Sequence, residues 1–191
     1  MRILFIFAVL SASGLARAAN IAAEASSGND IEMSVSLDPA GQSGSASATV
    51  RIHASRETVW SLITSCPESL RMVPGLEVCY VLETAPDQSW QKIRQVMNYS
   101  WYVPKVTYVI RAIYDPPAKV SIERVSGDLR TLRCSWELQS DGDYTLAHYM
   151  VDLAPGFWVP NWIVRTALRK DLPKMLRALR SRAEATPNRK H

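Results

Sequence analysis

Apolar residues run unbroken from Ile3 to Leu10 behind Arg2 and end at the small-residue stretch Ala16-Arg17-Ala18. A basic start, a short apolar run and a small-x-small end predict a secretory signal peptide, residues 1–18, cleaved after Ala18. Residues 19–45 are rich in Ala, Ser and Gly and predict a flexible lead-in. Within it, Ile31 to Leu37 alternates apolar and polar, the pattern of an edge strand, and Asp38-Pro39-Ala40-Gly41 closes it as a turn. Ser47 to His53 alternates again, with Ala48, Val50 and Ile52 on one side. Ser55 is a predicted N-cap for a short helix whose apolar face is Val59, Trp60, Leu62 and Ile63. Pro67-Glu68 opens a second short helix, and Pro74-Gly75 ends it.

Six strand-like runs follow, near 76–84, 89–99, 105–114, 118–125, 130–139 and 144–153. Turn chemistry separates them: Pro86-Asp87, Pro104, Asp115-Pro116-Pro117, Gly127-Asp128 and Asp141-Gly142-Asp143. Such short breaks predict antiparallel hairpins. After Pro155-Gly156 the period changes to 3.6, and a long helix is predicted from Trp158 to Glu184, kinked at Pro173. The expected class is α+β: a seven-stranded curved antiparallel sheet, two short helices and one long C-terminal helix. The last helix is the large apolar element available to cover the sheet, and a sheet curved around a helix leaves an interior wedge. The domain is read as residues 46–185, with 186–191 a disordered tail.

Composition adds bounds. The 191 residues are 47% hydrophobic and 21% charged, a globular balance. A multi-span membrane protein is excluded, because no apolar run reaches the ~20 residues a spanning helix needs. The net charge of +4 is unevenly spread: residues 1–18 carry +2, residues 19–157 carry −5 and residues 158–191 carry +7. The basic character is one C-terminal segment on an acidic body, which excludes a general nucleic-acid-binding surface. Arg165, Arg169, Lys170, Lys174 and Arg177 on the last helix form a face that is either solvated or in contact with an anionic membrane, with Trp158 and Trp162 at its entry.

Candidate chemistry is sparse. The spacings of Cys66, Cys79 and Cys134 match no metal or redox motif. Export permits a disulfide; Cys134 reads as a small buried hydrophobe, and the pairing of the other two stays open. His53, His148 and His191 are not spaced as metal ligands, so no metal site and no cofactor are expected. Alternation places His148 with Met150 and Asp152, opposite the more apolar Tyr149, Val151 and Leu153, so it faces outward. Glu77, Arg94, Arg111 and Glu123 read as a solvated face, with an inward pair able to orient a ligand. No catalytic motif is present. The mature chain holds six Trp and seven Tyr but only Phe157 of its kind. If each strand's apolar side faces in, the wall of the wedge is Met97, Tyr99, Tyr108, Ile110, Cys134, Trp136, Tyr149 and Val151, with Trp158, Trp162, Leu172 and Met175 from the helix. The alternative is an ordinary filled core. The wall suits a bulky apolar molecule with one polar end.

Several strings, in order and on matching elements, carry a resemblance over residues 46–184. They are Ile52-His53-Ala54-Ser55-Arg56-Glu57-Thr58-Val59-Trp60, Val73-Pro74-Gly75-Leu76-Glu77, Gly127-Asp128-Leu129-Arg130 with Ser135-Trp136-Glu137-Leu138, and Pro155-Gly156-Phe157-Trp158-Val159-Pro160-Asn161-Trp162 with Leu172-Pro173-Lys174-Met175-Leu176. The chain resembles the START/polyketide-cyclase (SRPBCC, Bet v 1-like) superfamily. The resemblance implies a helix-grip fold and a hydrophobic cavity between sheet and helix. Members bind sterols, phospholipids, isoprenoids or polyketides; some are aromatase/cyclases and some act through protein partners. Two positions depart from the pattern. The Arg-Asp pair often found at the strand reading Val106-Thr107-Tyr108-Val109 is absent, and Cys134 replaces a common Gly. The resulting expectation is an exported, non-enzymatic binding protein for a lipid, sterol or isoprenoid, periplasmic or secreted. A cyclase-like enzyme and a ligand-free interaction module are the alternatives.

Overall fold

The computed structural model describes residues 31–99 and 103–186. The predicted signal peptide, the lead-in up to residue 30 and the tail from residue 187 lie outside them.

Eight strands form one antiparallel sheet: β1 (Ile31–Leu37), β2 (Gly44–Ile52), β3 (Leu76–Thr84), β4 (Trp90–Met97), β5 (Val106–Asp115), β6 (Lys119–Gly127), β7 (Leu129–Asp141) and β8 (Tyr144–Pro155). The order across the sheet is β1-β2-β8-β7-β6-β5-β4-β3. The expected count of seven is corrected to eight. Ile31–Leu37 joins the sheet because its register against β2 is continuous, from Ile31 opposite Val50 to Leu37 opposite Gly44. β3 to β8 form the predicted meander. The link from β2 to β3 carries the chain from one end of the sheet to the other through α1 (Arg56–Ile63) and α2 (Cys66–Met72).

Local chemistry starts each short helix. Ser55 Oγ accepts from the Thr58 N–H at 3.2 Å, and Ser65 Oγ accepts from the Glu68 N–H at 3.4 Å. Gly75, at φ +78°, turns the chain from α2 into β3; a side chain there would press on the Asn98 carbonyl. A disulfide joins Cys66 in α2 to Cys79 in β3, which resolves the pairing the sequence left open.

The final helical segment begins at Asn161, not Trp158, because Pro160 is extended (φ −53°, ψ 132°). It runs as α3 (Asn161–Thr166), a wide π-helical turn (Ala167–Asp171) and α4 (Leu172–Ala185). In the wide turn the Leu172 N–H reaches back to the Ala167 carbonyl. This widening stands directly before Pro173, which has no N–H for the carbonyl four residues earlier and whose ring crowds it. α4 buries Leu172, Leu176, Leu179 and Ala183 against the sheet. Small inward residues on β2 let the helix come close. Gly44 is the tightest: a Cβ there would lie 2.7 Å from Leu168.

Candidate functional site

Between the concave face of the sheet and the π-helical turn lies a cavity of about 120 Å³. β4 and β5 give it Met97 and Tyr108, and Tyr99 follows the end of β4. β7 and β8 add Leu129, Leu132, Tyr149, Val151 and Leu153, and Val73-Pro74 close one rim. Ala167, Leu168, Asp171, Leu172 and Met175 form its roof, all on the sheet-facing side of the helical segment. A small extension of about 20 Å³ continues past Tyr99 toward Val159 and Ile163.

Seven of the twelve predicted wall residues therefore meet here: Met97, Tyr99, Tyr108, Tyr149, Val151, Leu172 and Met175. Ile110 and Trp136 are buried on the same face of the sheet but outside the lining. Trp136 packs on Tyr149, ring centroids 4.4 Å apart. Cys134 sits behind the wall, half-buried, beside the Tyr149 hydroxyl. Trp158 and Trp162 are corrected out of the wall: they are 77% and 38% exposed. The later helix start explains this. With Pro160 extended, Val159, Ile163 and Val164 take the buried positions and the two indoles turn outward.

The sequence does not single out Val73, Pro74, Leu129, Leu132, Leu153, Ala167, Leu168 and Asp171, which complete the lining. Leu132 and Leu153 share the alternation that selects Trp136 and Tyr149, so for these two the signal is in the sequence. In the sequence Asp171 is one acid among bases, a pattern that reads as a surface position.

The phenols and the thiol near the cavity are held neutral. Burial, then the nearby Asp171 charge, pushes the Tyr99 phenol up to about 12. Burial, with Tyr99 and Cys134 as neighbours, raises Tyr108 well above the usual phenol range. Tyr149 is raised by burial first, then by Cys134 and the other two phenols. Burial also pushes the Cys134 thiol up to about 11, against a lowering contact from the Tyr149 hydroxyl. These groups donate hydrogen bonds at neutral pH; they are poor bases and poor nucleophiles.

The remaining candidates lie elsewhere. His148 is on the outer face, its Nδ1 2.9 Å from Thr49 Oγ1. None of Glu77, Arg94, Arg111 and Glu123 lines the cavity. Glu77 pairs with Lys105 at 2.6 Å, and Arg111 lies over the Trp90 ring at 4.8 Å. Among the described residues, no group of three or more His, Cys, Asp or Glu is placed to hold a metal. Arg165, Arg169, Lys170, Lys174 and Arg177 are all exposed on the outer side of the helix. No helix among the described residues is long and apolar enough to cross a membrane.

Residues 52–180 match the family model described as polyketide cyclase / dehydrase and lipid transport. No curated protein matches the sequence. Solved structures share the fold at low identity. A START superfamily protein from Mycobacterium smegmatis is 20% identical, covers 73% of this chain and 97% of its own, and has a TM-score of 0.63. A STAR-related lipid transfer protein from Xanthomonas axonopodis is 20% identical over 80% of this chain and 92% of its own, at 0.64. An aromatase/cyclase from a Streptomyces species is 16% identical over 80% and 94%, at 0.62. Lipid-transfer and cyclase structures thus stand at similar distances from this chain.

Proposed function

The chain belongs to the polyketide cyclase / dehydrase and lipid transport family, and from that premise we propose that it is an exported binding protein for an apolar small molecule of the lipid, sterol or isoprenoid kind. The observation that carries this reading is the cavity under the π-helical turn. Its lining is apolar apart from three phenols and the carboxylate of Asp171 in the roof. Its size sets a condition. At about 120 Å³ it takes a group near the size of one ring, whereas a whole drug-sized ligand occupies roughly 300–1,000 Å³. Loading therefore requires the helical roof to move away from the sheet. The wide turn lies in that roof, and such turns recur at functional sites. The predicted signal peptide supports export, and the Cys66–Cys79 disulfide fits an oxidising compartment.

Membrane contact extends the reading. Exposed Trp158 and Trp162 at the start of the helical roof adjoin exposed Arg165, Arg169 and Lys170. Aromatic and basic side chains together suit an anionic lipid surface, where each basic residue contributes about 1 kcal/mol. The ligand would then enter beside the membrane.

A cyclase-like activity is the second reading, favoured by the phenols gathered around Tyr149. They can polarise a carbonyl by donating hydrogen bonds, but a proton-abstracting group would have to be Asp171.

The test is uptake of a fluorescent fatty alcohol from donor vesicles, followed for the wild type and Ala167→Trp. The large side chain fills the cavity, so binding should fall more than about tenfold with the fold retained. Unchanged uptake by the variant would place the ligand elsewhere and remove the reading.

A further inference from the structure

The cavity carries one charge. Asp171 closes the π-helical turn and is the single residue with a formal charge among those lining the cavity. Its surroundings place the carboxylate between solvent and interior. On the solvent side, Lys174 Nζ donates to Oδ1 at 3.1 Å from an exposed position, while the Asp171 side chain is only 20% exposed. On the interior side, its charge reaches Tyr99 and helps keep that phenol protonated. The other polar groups nearby, Tyr108, Tyr149 and Cys134, are held in their neutral forms.

This arrangement discriminates by charge. A ligand ending in a carboxylate or phosphate would set like charges against each other in a poorly hydrated space, offset only in part by Lys174 outside the lining. A hydroxyl end meets no such penalty. It can donate to the carboxylate, a charge-assisted bond, while its oxygen accepts from a phenol. We infer that Asp171 and Tyr99 form the recognition end of the cavity and select apolar molecules ending in a hydroxyl over those ending in an acid. The inference rests on the ligand-binding reading above and names the class of ligand for it.

The experiment titrates the exported full chain with decanol and with decanoate at neutral pH, by calorimetry, and repeats both for Asp171→Asn and Lys174→Gln. Asn keeps the volume and one acceptor oxygen, and near-ultraviolet circular dichroism checks that each variant is folded. The wild type should bind decanol at least about tenfold more tightly than decanoate. Asp171→Asn should shrink that ratio at least about threefold, and Lys174→Gln, which removes the partly offsetting cation, should widen it. Decanoate binding as tightly as decanol, or a ratio that moves in neither variant, overturns the inference and leaves the carrier reading standing. Binding of neither probe overturns the carrier reading and this inference with it.

Discussion

At the scale of single residues, burial decides what the polar groups can do. Cys134 is the free cysteine among the described residues, and its thiol is pushed up to about 11. It should react with an alkylating reagent more slowly than an exposed cysteine at neutral pH, and fully, as one thiol per chain, in denaturant; native labelling as fast as that of a free thiol would contradict the raised value. Alkaline stability follows the same logic. Cys134 and the phenols of Tyr99 and Tyr114 keep their protons to higher pH in the folded state than their usual values of 9.0 and 10.0. The unfolded chain therefore binds fewer protons there, and stability falls as pH rises. The contribution is complete below about pH 9 and lost progressively toward about 12. Melting temperatures taken across that range should fall steadily; a flat profile would mean that these groups are solvated. The charge role of Asp171 was not legible in the sequence. Its position follows from helix phase, and a lone acid in a basic helix carries the same pattern whether it faces water or a cavity.

At the scale of elements, the strands were readable because alternation and turn residues agree. Asp115-Pro116-Pro117, Gly127-Asp128 and Asp141-Gly142-Asp143 each fall at a break between β5, β6, β7 and β8. β1 carries an edge pattern and pairs with β2 across the short turn at 38–43, but it lies in an Ala-, Ser- and Gly-rich stretch whose composition resembles a lead-in, so the pattern alone does not place it in the sheet. The helix starts later than its apolar stripe because of local backbone geometry. Trp158 and Trp162 fit a helical stripe, yet Pro160 holds the chain extended and changes which residues turn inward. Two element-level links lend themselves to measurement. The Gln42 side chain donates to the Val159 carbonyl at 2.8 Å, holding the segment before α3 to the β1–β2 turn. Gln42→Ala should speed ligand exchange several-fold with a small change in stability; unchanged exchange would mean that the roof does not move at this end. The Cys66–Cys79 bridge closes a separation of 13 residues, so the double Ser variant should lose about 3 kcal/mol in denaturant unfolding. A loss near zero would show that Glu68, which Arg182 of α4 contacts at 2.6 Å, already fixes α2.

At the scale of the whole molecule, the fold provides a sheet that grips a helix, and the side chains inside decide how much room remains. Membrane approach belongs to this scale, because it depends on the field of the C-terminal segment as a whole. Reversing Arg165 and Arg169 to Glu should cut binding to anionic vesicles more than about tenfold, and salt should weaken wild-type binding. Equal binding by the variant would separate the basic face from any membrane role. The central claim is that the space between sheet and helix holds an apolar molecule. The most direct measurement is mass spectrometry of an organic extract from the protein, purified without detergent, with Ala167→Trp processed alongside. The account predicts an apolar, hydroxyl-bearing molecule near one per chain in the wild type and its loss in the variant. A clean wild-type extract that stays clean after incubation with lipid vesicles would contradict it.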